Sequence, residues 1–294
     1  MLVRFAAAAM LSVTLAGCGG SESASRVSEL AEYDDTKPLR VEVEGRNEGS
    51  IDITYQSPRG GDVPASLVLP PGAEGGTKRY PVVLYVHPYL ASRGLFYREA
   101  FDLAGTGVAV FLVDATISRQ GRRGRPDLSD PVYAADLFYA FVRQDVVDLR
   151  RGLDYLAGRK EIDLERVAVF GQEYGALPAG ALAAVDDRID AVVLATVPAE
   201  PSRYWAKEFV PQETHDSFAE TLRDFDTVRL LDSIDADVLI QNPRRDEDFP
   251  VAEYERLAEE AGDADVRWYE YGHHMGPDAD ADRSEWLRQK LAAG

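Results

Sequence analysis

Two segments near residue 40 alternate between apolar and polar side chains. Leu39-Arg40-Val41-Glu42-Val43 and Ile51-Asp52-Ile53-Thr54-Tyr55 show the period of two that marks strands with one wet face. The pattern then changes. Tyr80-Pro81-Val82-Val83-Leu84-Tyr85-Val86 and residues 107–113, 167–170 and 189–195 are short, continuous apolar runs rich in Val, which suit strands buried on both faces of a parallel sheet. Helical periods lie between them, most clearly Phe138, Val142, Val146, Leu149, Leu153 and Leu156, at spacings of 4, 4, 3, 4 and 3. Residues 237–241 and 266–271 read as two more strands, trailed by helices around 251–260 and 284–292. Half-wet strands followed by β-α repeats predict one doubly wound α/β domain over residues 39–294, with no internal repeat.

The start of the chain has a different character. Arg4 precedes an apolar run from Phe5 to Leu15, and Leu15-Ala16-Gly17-Cys18 follows. A positive start, a short apolar stretch and small residues before a cut site describe a secretory signal. The run is too short to cross a bilayer, which takes about 20 helical residues. Leu-Ala-Gly-Cys resembles the lipobox of bacterial lipoproteins, which implies a signal peptide over residues 1–17 and diacylglycerol on Cys18. The bland alternative is a non-lipidated signal with a chance cysteine. Residues 19–36 are polar and rich in Ser and Glu, so 18–38 is expected to be a lipidated Cys and flexible tether. This organisation predicts an extracytoplasmic protein of the cell envelope, touching a membrane only through its lipid anchor.

Charge narrows the possible partners. Acidic residues outnumber basic ones 51 to 32, and the net charge of −19 repels phosphate backbones and anionic headgroups, arguing against nucleic acid as a partner. Cys18 is the only cysteine, which excludes internal disulfides and Cys-based metal sites. No nucleotide motif or complete metal motif is visible. No cofactor is expected, and the predicted partner is a small molecule.

Candidate chemistry gathers at predicted strand ends. Arg166-Val167-Ala168-Val169-Phe170 runs into Gly171-Gln172-Glu173-Tyr174-Gly175-Ala176 and an Ala-rich helix. Glycines two before and two after a central residue, between strand and helix, permit the strained turn of a nucleophile elbow. Val86-His87-Pro88-Tyr89 ends an earlier run, Leu239-Ile240-Gln241-Asn242 leads to Asp246 and Pro250, and Tyr271-Gly272-His273-His274 ends the last strand. On these motifs residues 40–292 resemble the α/β-hydrolase superfamily. The similarity is greatest to dienelactone-hydrolase-like and acetyl-xylan-esterase-like serine esterases and to prolyl-oligopeptidase-type peptidase domains. The resemblance implies an α/β-hydrolase fold with an eight-stranded, mostly parallel sheet, helices on both faces and at most a small cap after strand six. It implies His273 as catalytic histidine, Asp246 as its acid, and the backbone N–H groups of Tyr89 and Tyr174 as oxyanion-hole donors.

The central residue departs from the family, which has Ser, Cys or Asp where this chain has Glu173. A carboxylate needs no activation, yet the adduct it forms with an ordinary ester expels the carboxylate more readily than an alkoxide. Three readings stay open. Glu173 attacks directly, or it holds a water as general base beside His273, or the site is inactive and the chain is a binding protein on a hydrolase scaffold. The first two make the protein an atypical esterase-like hydrolase; the third makes it a pseudoenzyme. A hydrogen bond between His273 and Glu173 would favour catalysis, and a side chain filling the oxyanion position would favour binding. Pro88, in place of the usual Gly, is a second departure that threatens to misplace the Tyr89 loop.

Weaker signals have ordinary explanations. His87 is expected to pack the oxyanion loop, and His215 to lie on the surface before the helix caps Asp216 and Ser217. Arg119, Arg122, Arg123 and Arg125 fall after the fourth strand, where an anionic substrate group or neighbouring acids would meet them. Of these, Arg122 and Arg123 are candidate substrate-binding residues. Tyr204, Trp205, Phe209 and Phe218 follow strand six, and Trp205 in particular is a candidate pocket wall.

Overall fold

Nine strands form one sheet in the computed structural model, which describes residues 26–29, 31–121 and 128–292. The expected signal peptide, Cys18, Arg122, Arg123 and Arg125 lie outside the described residues. In chain order the strands are β1 (Glu42–Asn47), β2 (Ser50–Gln56), β3 (Asp62–Val68), β4 (Tyr80–Val86) and β5 (Ala109–Val113), then β6 (Ile162–Gln172), β7 (Ala191–Ala195), β8 (Asp237–Pro243) and β9 (Asp265–Tyr269). Their spatial order is β1-β2-β3-β5-β4-β6-β7-β8-β9. The pairings β1·β2, β2·β3 and β3·β5 are antiparallel, and the remainder are parallel.

The expected count of eight strands is corrected to nine by β3, which the sequence pattern conceals. Pro64 interrupts Val63-Pro64-Ala65-Ser66-Leu67-Val68, and an interior proline argues against a strand. Here Val63, Ala65 and Leu67 are buried, and the Pro64 carbonyl accepts the Asp114 N–H at 3.0 Å. The first strand also starts later than its alternation suggests, at Glu42, and Val43 remains exposed.

Alternation along the parallel strands sorts the core into two layers. Val82, Leu84 and Val86 of β4 face one layer, and Val83 and Tyr85 face the other. The second layer is closed by α1 (Tyr97–Gly105) and, at the far end of the chain, by Trp286, Leu287 and Leu291 of its last helix. After the short α2 (Thr116–Gly121), the first layer takes α3 (Pro131–Ala157) and α4 (Ala176–Val185). Asp130 caps α3 by accepting the N–H groups of Val132 at 2.9 Å and Tyr133 at 3.3 Å, with Pro131 at the first helical position. All six periodic residues of α3, Phe138 to Leu156, are buried as their spacing predicts.

After β7 the chain forms α5 (Pro201–Phe209), α6 (His215–Leu222) and α7 (Thr227–Leu231), a small helical cap. Here α6 begins at His215 itself, so Asp216 and Ser217 lie in its first turn rather than capping it, and Nε2 of His215 is 3.1 Å from the Val210 carbonyl. The remaining helices are α8 (Val251–Glu260) and α9 (Pro277–Ala292), the helix that carries Trp286. No described helix is long and apolar enough to cross a membrane.

The stretch read as a tether is not detached from the core over its whole length. Residues 26–29 and 31 are helical, and Val27 and Ala31, four apart on one face, are buried in the first layer. Tyr33 donates to Asp154 at 2.6 Å, and Arg150 donates to the Ala31 carbonyl at 2.9 Å. Val27, Leu30 and Ala31 have helical spacing, but a pattern of barely one turn inside a Ser- and Glu-rich segment is too short to reveal this docking.

The chain leaves β4 toward β5 on one side and returns to β6 on the other. Crossovers therefore diverge at the carboxyl ends of β4 and β6, the crevice where open α/β sheets hold ligands. The loop after β4 carries Tyr89, and the turn after β6 carries Glu173.

Candidate active site

Glu173 sits in the left-handed region, at φ 52°, between β6 and a helical turn that runs into α4. For a residue with a side chain this costs on the order of 1–3 kcal/mol and persists only where the surroundings enforce it. The flanking glycines enforce it. A Cβ on Gly171 would lie 2.1 Å from the Gly175 carbonyl oxygen, and a Cβ on Gly175 would lie 2.2 Å from that of Val86. The Gly-Gln-Glu-Tyr-Gly stretch is a nucleophile elbow in its geometry.

What the elbow presents is unusual. Oε2 of Glu173 accepts the Tyr89 N–H at 2.5 Å, and the Tyr174 N–H also bonds the carboxylate. These two amides are the pair that the resemblance implies as oxyanion donors, and here both meet the carboxylate of Glu173 itself. Burial raises the Glu173 carboxyl above its ordinary range, opposed by the Tyr174 and Tyr89 amides and by the charge of His273.

Pro88 does not misplace the loop. Its carbonyl takes Nδ1–H of His87 at 2.8 Å and the Ala91 N–H at 3.2 Å. His87 is fully buried, and its Nε2 accepts the Ala115 N–H at 3.0 Å, which fixes the ring as the neutral Nδ1–H tautomer. His87 is thus a structural pin for the Tyr89 loop. The Tyr174 ring is anchored as well, its hydroxyl donating to buried Asp145 at 2.7 Å. Asp145 also accepts the Thr116 N–H at 2.6 Å, and burial raises its pKa to about 6.

Asp246 and His273 meet as predicted. Nδ1 of His273 lies 3.0 Å from Oδ2 of Asp246, whose side chain is fully buried. Asp246 further accepts the N–H groups of Asp248 at 2.8 Å and Phe249 at 3.2 Å, together with the hydroxyl of Tyr254. Burial works to raise its pKa, but the hydrogen bonds from His273, Tyr254 and the Asp248 amide prevail and hold it below the usual range. Burial likewise disfavours the His273 imidazolium, and Asp246, Glu173 and Asp248 together outweigh it, so the His273 pKa lies above 6.5. His273 feels the charge of Glu173, but no hydrogen bond joins the two. Asp246, Asp248 and His273 bring possible metal-ligand atoms within 4.8 Å of one another. The Asp246 oxygens are already taken by amides, a phenol and the imidazole, which suits an orienting acid rather than a metal ligand.

Glu173 and His273 open into a cavity of about 770 Å³. Trp205 lines it, as expected, with Tyr204 and Phe209 of α5, Tyr89 and Phe249. Phe218, by contrast, is buried behind this wall, 6.0 Å from the Phe138 ring. Arg119 does not face a substrate: it is consumed by Asp148, by Asp145 at 3.5 Å and by Thr116 Oγ1 at 2.5 Å. Sequence reasoning missed the acidic rim of Glu208, Glu247 and Asp248, and it missed Tyr254, the partner of Asp246. The spacing of Tyr254 eight residues after Asp246, on the first turn of the predicted helix, was the available signal for the latter.

No protein-family model and no curated protein matches the chain. Solved structures do. An acetyl xylan esterase from Paenibacillus sp. R4 is similar at 21% identity and TM-score 0.70, over 94% of this chain and 95% of that one. Acetyl xylan esterase 1 from Thermoanaerobacterium sp. JW/SL YS485 has 18% identity and TM-score 0.71, over 93% and 94%. A cold-adapted esterase from an Arctic intertidal metagenomic library has 16% identity and TM-score 0.58, over 84% and 96%. These neighbours are hydrolases of the ester type, and likeness at such identities speaks to architecture. With the strand order and the elbow, it shows that this chain has the α/β-hydrolase fold.

Proposed function

We propose that the protein uses the hydrolase pocket to bind a small molecule and does not hydrolyse ordinary esters, because Glu173 plugs its own oxyanion hole. One observation carries this reading: the Glu173 carboxylate accepts the Tyr89 N–H at 2.5 Å. Ester hydrolysis needs that donor for the oxygen of the tetrahedral intermediate. Hydrogen bonds to a charged acceptor contribute about 1.5–3 kcal/mol each, against about 1 for a neutral one. A neutral ester carbonyl therefore competes poorly with the resident carboxylate. As a nucleophile Glu173 is also disfavoured, since its adduct with an ester returns to carboxylate and ester. Anchoring of the domain to an envelope membrane through Cys18 belongs to the same proposal and rests on the lipobox resemblance.

A second reading, an esterase-like hydrolase using Glu173, His273 and Asp246, is favoured by the Asp246–His273 pair, which is assembled as a working acid–histidine unit would be. In that reading Glu173 swings out of the hole and holds a water as general base, with His273 as the acid. Hydrolysis of p-nitrophenyl acetate by the full chain, Glu173→Ala, Glu173→Ser and His273→Ala separates the two. The plugged-site reading expects the wild type to match His273→Ala, and Glu173→Ser to gain at least about 10²-fold in kcat/KM. Wild-type turnover abolished by both Glu173→Ala and His273→Ala would establish the second reading instead.

A further inference from the structure

The pocket that Glu173 floors has a chemistry of its own. Four carboxylates line it: Glu173 at the base, Glu208 at the end of α5, and Glu247 and Asp248 on the loop after β8. Against them stand one lysine, Lys207, and the imidazoles of His273 and His274, the former already paired with Asp246. Between the charges the walls are aromatic, with Tyr204 and Phe249 in edge contact at 5.4 Å and Trp205 behind them.

We propose that this pocket selects a small organic cation, an ammonium ion carrying an aromatic or alkyl body. Aromatic faces attract ammonium groups through their quadrupole, and the attraction grows as water is excluded. A cleft with low-dielectric walls and acids at its rim concentrates cations and repels anionic ligands. The molecule already shows the interaction in small form, with Nζ of Lys207 lying over the Tyr204 ring, 4.3 Å from its centroid. A neutral acyl ligand would fill the walls without answering the charge of the rim, where Asp248 has His273 Nδ1 at 3.5 Å. A carboxylic acid would meet Glu173, Glu247 and Asp248 as like charges. The inference rests on the pocket being a ligand site and adds the class of ligand.

Calorimetric titration of the full chain with three probes of similar shape tests it: phenyltrimethylammonium, its neutral carbon isostere tert-butylbenzene, and benzenesulfonate. The cation is expected to bind at least about tenfold more tightly than the isostere, benzenesulfonate not at all, and added salt to weaken the cation alone. Glu208→Gln, Glu247→Gln and Asp248→Asn together, all at exposed side chains, should shrink the preference to within about twofold. Equal or tighter binding of tert-butylbenzene or benzenesulfonate would overturn the cation class and leave the ligand-site reading standing. Cation binding unchanged in the triple variant and in high salt would also overturn it. Failure of all three probes to bind would overturn both.

Discussion

Asp246 and His273 hold each other through side chains, whereas Glu173 is held by main-chain amides, and the two halves of the site differ accordingly. The acid–histidine half is a hydrogen-bonded set of Asp246, His273, Tyr254 and two loop N–H groups. It is complete without reference to the elbow. The elbow half is made by backbone: two glycines that admit no Cβ, a left-handed residue, and the amides of Tyr89 and Tyr174. Its shape does not depend on which side chain stands at position 173, and its chemistry depends on little else. On the proposed reading, the fold keeps the backbone of an oxyanion hole while the side chain at position 173 fills it with its own carboxylate.

The contrast is broken most severely at the glycines. Gly175→Ala places a methyl 2.2 Å from the Val86 carbonyl oxygen, so strand β4 or the elbow must move. A loss of more than about 4 kcal/mol in denaturant unfolding, or failure to fold, is expected. Asp246→Ala comes next. It strips acceptors from Tyr254, two amides and His273 in a buried position and should cost about 3 kcal/mol by the same measurement, with the elbow left in place.

The smallest effect concerns His273 titration. Its folded pKa is raised, so the stability it contributes is full below about pH 6.5, the unfolded value, and fades as pH rises through the higher folded value. The stability difference between wild type and His273→Ala should shrink from pH 6 toward alkaline pH. Because Glu173 is among the charges that raise it, the NMR midpoint of His273 should fall in Glu173→Ala. An unchanged midpoint would mean that the two halves do not sense each other.

Much of this was legible in the chain. Glycine spacing announced the elbow because its cause is steric and local, the buried α3 stripe followed from its period, and the Asp246–His273 pairing was implied by the resemblance to α/β-hydrolases. The strand β3 was hidden by Pro64, whose carbonyl serves the sheet although its nitrogen cannot. The placement of the Glu173 carboxylate was not readable, since it depends on the Tyr89 amide, 84 residues away in sequence, and on a rotamer that only the assembled crevice selects. The acidic rim escaped notice for a related reason: in a chain of net charge −19, three more acids carry no signal until folding gathers them at one mouth.

The claim at the centre is that the oxyanion hole is occupied by the chain itself, and the Tyr89 amide proton reports on it directly. In ¹H–¹⁵N spectra of the full chain, an N–H donating to a carboxylate at 2.5 Å should resonate far downfield and exchange slowly with solvent. In Glu173→Ala it should move upfield and exchange faster while the signals of the Asp246 loop stay where they are. A Tyr89 amide with an ordinary shift in the wild type, unmoved by Glu173→Ala, would contradict the account.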